Sequence, residues 1–242
     1  MKERYKIADV VFDAQFTYAY TAHVCRNYKY DGQDAPLFEI NVSLNDIDGE
    51  GKREGQERLE PPYLESLCLY RKLLEKLINL DGIVFHSSAV AVDGNAYLFT
   101  AVSGTGKSTH ASLWRKLLGE RAVMINDDKP IIRYVDGEFY VYGTPWNGKH
   151  ELDTNCRAKV KAVCKLERGE QNSIEEISAK DMLPVLLNQT LRHQEVGDLD
   201  KLLTLLAKML QKVKLYRLKC NMDVSSAKLS YQTMSGEALD EN

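Results

Sequence analysis

Apolar positions along the chain change pattern repeatedly. In residues 5–43, short apolar runs such as YKIADVVF and LFEINVSL stand between polar breaks and predict short strands. Residues 44–62 are charged, contain glycine and close with Pro61-Pro62, which predicts a solvated loop and an internal boundary. Leu64, Leu67, Leu73, Leu74, Leu77 and Leu80 then recur at helical spacing, so 63–80 reads as an amphipathic helix ended by Asp81-Gly82. Strand-like runs follow at 83–92, 95–101, 122–127, 130–135, 138–143 and 158–166, with tight-turn signals in the Asp-Gly pairs at 93–94 and 136–137. The last third is helical, with Leu199, Leu202, Leu203, Leu206, Met209 and Leu210 on one face, and VKLYRLK at 213–219 alternates like a strand. The expected organisation is a small β-rich segment over 1–62 and a mixed α/β domain over 63–242.

Composition narrows the classes. With 242 residues, 44% of them hydrophobic, the chain is long enough for a well-buried core. A formal net charge of −3 gives no basic footprint, so nucleic acid is not an expected partner. No apolar run approaches the ~20 residues that span a membrane, and the first residues, MKERYKIADVVFDAQF, carry charges where a signal peptide is apolar. The five cysteines, Cys25, Cys68, Cys156, Cys164 and Cys220, show no C-x-x-C spacing and read as reduced packing thiols, so a cytoplasmic location is expected.

The informative chemistry begins at residues 99–109, FTAVSGTGKST. Gly104 and Gly106 permit backbone conformations in which N–H groups converge on an anion, and a helix starting near Lys107 adds its positive end. Ser103, Gly104, Thr105, Gly106, Lys107, Ser108 and Thr109 thus form a candidate nucleotide-phosphate loop, with Lys107 reaching the terminal phosphates and Ser108 offering a hydroxyl to a divalent cation. Ala101 stands where the full motif has glycine. SSAVAV-DG-NAYLFTA reads as a two-residue hairpin that pairs Val92 with Asn95 and Ser88 with Phe99, which sets His86 against Ala101. A second apolar run, AVMINDD, ends in Asp127-Asp128. If the strand persists, these acids point to opposite sides; one is suited to a metal ion and the other to taking a proton from an attacking hydroxyl. The stretch VYGTPWNGKHELDTN reads as an ordered loop that brings Lys149, His150 and Glu151 to a nucleotide or an acceptor.

The string FHSSAVAVDGNAYLFTAVSGTGKST…MINDDKP resembles the HPr kinase/phosphorylase group, whose catalytic domain has the phosphoenolpyruvate carboxykinase-like nucleotide-binding fold. It is more similar to small bacterial members with FHSSA…SGTGKST…NDDKP…GTPW.GK, and the match covers roughly 83–220. The resemblance implies a kinase that uses ATP and Mg²⁺ to phosphorylate a hydroxyl of a small molecule, peptide or protein. It gives His86, Lys107 and Asp128 catalytic roles, with Asp128 as base, and gives Asp127 and Ser108 the metal. Glu151 is a loose match to the group's active-site glutamate, because LDTNCRAKV replaces the glycine-rich signature that should follow it. The first 60 residues do not resemble the group's regulatory domain, so HPr itself is not implied. A nucleotide sensor or assembly module without turnover, and a phosphorylase or phosphatase using the same site, remain open, as does a homo-oligomer.

Overall fold

A computed structural model describes residues 1–53, 55–148, 151–190 and 196–239. They form a mixed α/β fold with a three-stranded sheet and a nine-stranded mixed sheet.

The small sheet holds β1 (Lys2–Ile7), β2 (Val10–Gln15) and β3 (Glu39–Asn41), in that order. The run read as one apolar segment over 5–12 folds back on itself at Ala8-Asp9, which take left-handed φ values of 53° and 59°. Between β2 and β3 lies the short helix α1 (Ala19–Val24), and after β3 come α2 (Leu44–Gly51) and α3 (Pro61–Leu77).

Helix α2 stands inside the stretch expected to be a solvated loop. A capping box starts it: Asp46 N donates to Ser43 Oγ, and the Asp46 carboxylate accepts from Ser43 N at 2.7 Å. Ile47 and Glu50 turn inward, and Glu50, buried, is held by Arg71 of α3 and by Arg53. Composition suggested solvent because the remaining charged side chains do face water.

Helix α1 has no side-chain cap of its own. The buried Glu65 of α3 supplies one: its carboxylate accepts from Thr17 N at 2.6 Å, Tyr18 N at 2.9 Å and Thr21 Oγ1 at 2.7 Å. Helix α3 begins with Pro61 and Pro62 in its first turn and is followed by a 3-10 turn ending at Asp81, in the left-handed region. Its Leu69, Leu73 and Leu77 share one core with Ile7 and Phe12 of the small sheet and with Val84, Ile131 and Trp146 farther on.

The large sheet contains β4 (Gly82–Val84), β5 (Ser88–Val92), β6 (Asn95–Thr100), β7 (Ala122–Asn126), β8 (Ile131–Val135), β9 (Glu138–Tyr142), β10 (Arg157–Arg168), β11 (Ser173–Glu176) and β12 (Lys214–Cys220). Helices α4 (Lys107–Leu118), α5 (Ala179–Gln189), α6 (Val196–Lys212) and α7 (Val224–Ser235) cover it. The strand order is β4-β8-β9-β10-β6-β5-β7, and β12 pairs with both β10 and β11. Along β10, β9 pairs antiparallel with 157–159 and β12 parallel with 162–168, while β6 lies parallel alongside it. Strand β6 is buried on both faces: Ala96 and Leu98 join the core with Leu186, Leu206 and Met209, whereas Tyr97 and Phe99 join Trp114 and Tyr231.

Both Asp-Gly pairs make the expected two-residue turns, pairing Val92 with Asn95 and Val135 with Glu138. The run 83–92 is not one strand. Val84 pairs with β8, and the chain then leaves the sheet until Ser88. His86 N donates to Gln189 O at the end of α5 (2.7 Å), so the hairpin ladder stops at Ser88 opposite Phe99 and does not pair His86 with Ala101. Instead, Thr100 Oγ1 donates to His86 O at 3.1 Å. The five cysteines are free thiols, three of them buried. Among the described residues, no helix is long and apolar enough to cross a membrane.

One buried group makes stability depend on pH. Ser230 Oγ donates to Ala227 O, so it accepts from Trp114 Nε1 (2.8 Å) and from His110 (3.0 Å). The His110 proton therefore sits on Nε2, leaving Nδ1 buried without a partner. Burial lowers this imidazole to about 4. The unfolded chain protonates it first, so its contribution to stability is complete above pH 6.5 and is lost as pH falls to about 4, amounting to roughly 3 kcal/mol. Urea unfolding of His110→Gln at pH 7 and pH 4.5 is expected to show a correspondingly smaller loss between the two pH values than the parent shows.

Candidate active site

Residues 101–106 carry the chain from β6 into α4. Gly104 and Gly106 hold φ values of 77° and 119°, and a Cβ at Gly104 would meet nothing within 4 Å, so conformation rather than crowding calls for glycine there. Thr105 N donates to Val102 O at 3.2 Å and closes the turn. Among the described residues, no acceptor meets the N–H groups of Gly104, Gly106, Lys107, Ser108 or Thr109, and no side chain caps α4. These donors gather at the positive end of a 12-residue helix. Ala101, the departure from the glycine motif, tucks its methyl into the core beside Phe99 and Trp114.

Lys107 is the first residue of α4 and is only 8% exposed. Its Nζ donates to Ala101 O at 3.4 Å, a marginal hydrogen bond. Burial lowers its pKa, and the charges of Asp128 and Asp127 act in the opposite sense. A buried ammonium with one marginal hydrogen bond, its burial only partly offset by the aspartates, is well placed to receive an anion.

The two aspartates leave the sheet in a different way from that expected. Strand β7 ends at Asn126, and the acids lie in the bend beyond it. Their placement comes from Asn126, fully buried, whose Oδ1 accepts from Asp128 N (2.8 Å) and Lys129 N (2.7 Å). Its Nδ2 donates to Thr144 O (3.0 Å), Thr144 Oγ1 (3.1 Å) and Trp146 O (3.2 Å), which ties the following loop to the same point. Asp127 is buried; Ser88 Oγ donates to its Oδ1 at 2.9 Å, and a Cβ on Gly148 would lie 3.3 Å from its Oδ2. His86 Nε2 lies 2.9 Å from Asp128 Oδ1, and Lys129 Nζ donates to Oδ2. Burial pushes the Asp128 carboxyl up, but the bonds from His86 and Lys129 outweigh it and hold the group well below the usual carboxylate range.

Three cavities surround these groups. Ser108, Thr109, Asp127 and Leu152 line one of about 500 Å³. Gly104, Thr105, Gly106, Arg168 and Met222 line a second, of about 640 Å³, where Arg168 Nη2 donates to Gly104 O at 2.6 Å. Asp128, Lys129, Trp146 and Glu151 line a third, of about 590 Å³. Ser108 and Asp127 therefore share one space, and Asp128 and Glu151 another. Glu151 is exposed with φ 50°, and Ser103 is exposed on the loop. Lys149 and His150 lie outside the described residues. Sequence reasoning passed over Asn126, Ser88 and Arg168, although Asn126 directly precedes the acids and Ser88 stands in the FHSSA string. Among the described residues, no group of three or more His, Cys, Asp and Glu is arranged to hold a metal ion.

No protein-family model matches the chain, and no curated protein matches it. Among solved structures it is similar to the HPr(Ser) kinase/phosphatase from Coxiella burnetii, with a TM-score of 0.38 and 8% sequence identity over 63% of this chain and 97% of that one. A likeness this distant carries no functional argument, and the reading of the site rests on its own geometry.

Removing the Asn126 carboxamide leaves two N–H groups and a carbonyl without their partner in a buried bend. Asn126→Ala is expected to lower stability by roughly 3 kcal/mol or more, read as a lower urea midpoint.

Proposed function

We propose that the chain is an ATP-dependent, Mg²⁺-requiring kinase of the HPr kinase-like type, transferring the γ-phosphoryl group to a hydroxyl acceptor. The observation that carries this reading is the buried Lys107 beside a loop in which the N–H groups of Gly104, Gly106, Lys107, Ser108 and Thr109 meet no acceptor among the described residues, with Asp127 and Asp128 near enough for their charges to act on it and each lining a different cavity. On this reading, residues 103–109 hold the β- and γ-phosphates, and Lys107 offsets their charge.

The residues present fit a magnesium ion. The Asp127 carboxylate is held by Ser88 through Oδ1, and the Ser108 hydroxyl in the same cavity has no partner among the described residues. Magnesium in such sites keeps few protein ligands and takes its remaining oxygens from phosphate and water, so a large acidic cluster is not required. When bound, the ion neutralises charge on the phosphoryl oxygens. The second cavity, beside Arg168 and Met222, has room for the nucleoside.

Asp128 accepts the proton of the acceptor hydroxyl as its oxygen bonds to the γ-phosphorus and the bond to the bridging oxygen breaks, releasing ADP. His86 and Lys129 hold the Asp128 carboxylate ionised and aimed. Its low pKa makes it a weak base, which suits a loose transition state in which position and charge placement contribute more than base strength.

Mg·ATP is expected to raise the Tm of the parent, and Lys107→Ala is expected to abolish that rise; an unchanged rise in the variant would sink the reading. Asp128→Asn should keep the rise and lose phosphoryl transfer by about 10²-fold or more. Asp127→Asn should instead raise the Mg²⁺ concentration needed for half-maximal transfer. Nucleotide binding without transfer to any acceptor would favour the sensor alternative.

A further inference from the structure

The third cavity is lined by neither Ser108 nor Asp127 and includes residues of the N-terminal segment. Asp128, the loop residues Trp146 and Glu151, and Tyr20, Arg26 and Tyr63 from the N-terminal segment and the start of α3 all line it. Its volume of about 590 Å³ suits a small molecule rather than a folded partner.

Among the described residues, the charged groups lining this space divide into engaged ones and two without an ionic partner, the exposed Glu151 carboxylate and the Arg26 guanidinium. The Lys129 ammonium is engaged with Asp128, and Asp153 accepts from Tyr28 Oη at 2.7 Å and from Asn147. Arg26 is exposed and donates to the His23 carbonyl at 2.8 Å, with no carboxylate partner among the described residues. A guanidinium left with free donors in a cavity matches a carboxylate, which it can grip through two parallel hydrogen bonds. The Tyr20 and Tyr63 rings, with centroids 6.2 Å apart, are 40% and 41% exposed, so two aromatic surfaces at the cavity remain open. Trp146 of the lining also packs against Tyr70, which does not itself line the cavity, with centroids 5.0 Å apart, and the buried Tyr70 hydroxyl has no partner among the described residues.

We propose that this cavity is the acceptor site and that it takes a small hydroxyl compound bearing a carboxylate, gripped by Arg26, with its hydroxyl brought to Asp128. The N-terminal segment is then the specificity element of the enzyme. This assignment rests on the kinase reading above, because Asp128 is the group shared between the two.

The test uses the full chain with Mg·ATP and matched probes that differ in the carboxylate: D-glycerate against glycerol, and L-serine against ethanolamine. Transfer of labelled γ-phosphate is expected for a carboxylate-bearing member, with a KM at least tenfold below that of its counterpart lacking the carboxylate. Arg26→Gln should raise that KM by about tenfold or more, with a smaller change in kcat and with the Mg·ATP-induced rise in Tm intact. Arg26→Lys should recover part of the loss. If Mg·ATP does not raise the parent's Tm, the kinase reading fails and this assignment fails with it. If the nucleotide binds but the matched probes are used equally, none is used, Arg26→Gln leaves KM unchanged, or only a polypeptide is phosphorylated, the acceptor assignment alone is overturned.

Discussion

The arrangement of the site depends on the carboxamide of Asn126. Its oxygen takes two backbone N–H groups just beyond the strand, and its nitrogen serves the chain at Thr144 and Trp146. No other side chain of that length offers both functions: aspartate lacks the donors and leucine lacks everything but the volume. Because the group is fully buried, each of these bonds forms where water does not compete. The bend that separates Asp127 from Asp128 and the course of the following loop therefore stand or fall together. Trp146 carries the constraint outward, since its Nε1 donates to Ser66 O of α3 at 3.1 Å.

The same loop is pinned from a second direction. A Cβ on Gly143 would sit 1.9 Å from the carbonyl oxygen of Thr154, so the strand can pass the returning chain only at glycine. Thr154 N in turn donates to Ile125 O at 3.1 Å. The two charged centres inside this frame are treated differently. Asp128 is surrounded by donors that stabilise its ionised form, whereas Lys107 is desolvated and the nearby charges of Asp128 and Asp127 offset only part of that cost. An anion arriving at the loop meets a cation that the two aspartates only partly compensate.

Much of this was readable from residue order, for physical reasons that differ between elements. The Asp-Gly pairs announced their turns because only a few residues take two successive left-handed conformations cheaply, and hairpin register follows from the turn. The Ala8-Asp9 turn has the same geometry without glycine, so the apolar run over 5–12 concealed it. Helix α2 was hidden because most of its residues are polar or glycine and only Ile47 and Glu50 turn inward. The break at residues 85–87 depends on Gln189, a partner remote in sequence that takes the His86 N–H. The loop at 101–106 was legible because glycine, lysine and a helix start stand together, while Asn126 and Ser88 act through contacts across strands that no local spacing reveals.

Helix α1 carries a consequence for motion. Six residues are too few to sustain a helix in water, and Thr21 is its single buried residue. What keeps it folded is a carboxylate on another helix. In hydrogen-exchange language, α1 should be the first helix to open, with a protection set by the Glu65 contacts and not by its own ladder. Each such opening would carry Tyr20 away from the cavity wall while leaving the hairpin of β5 and β6 untouched. The least protected helix thus lies at the cavity, on a well-packed core, and its order depends on a side chain from another helix.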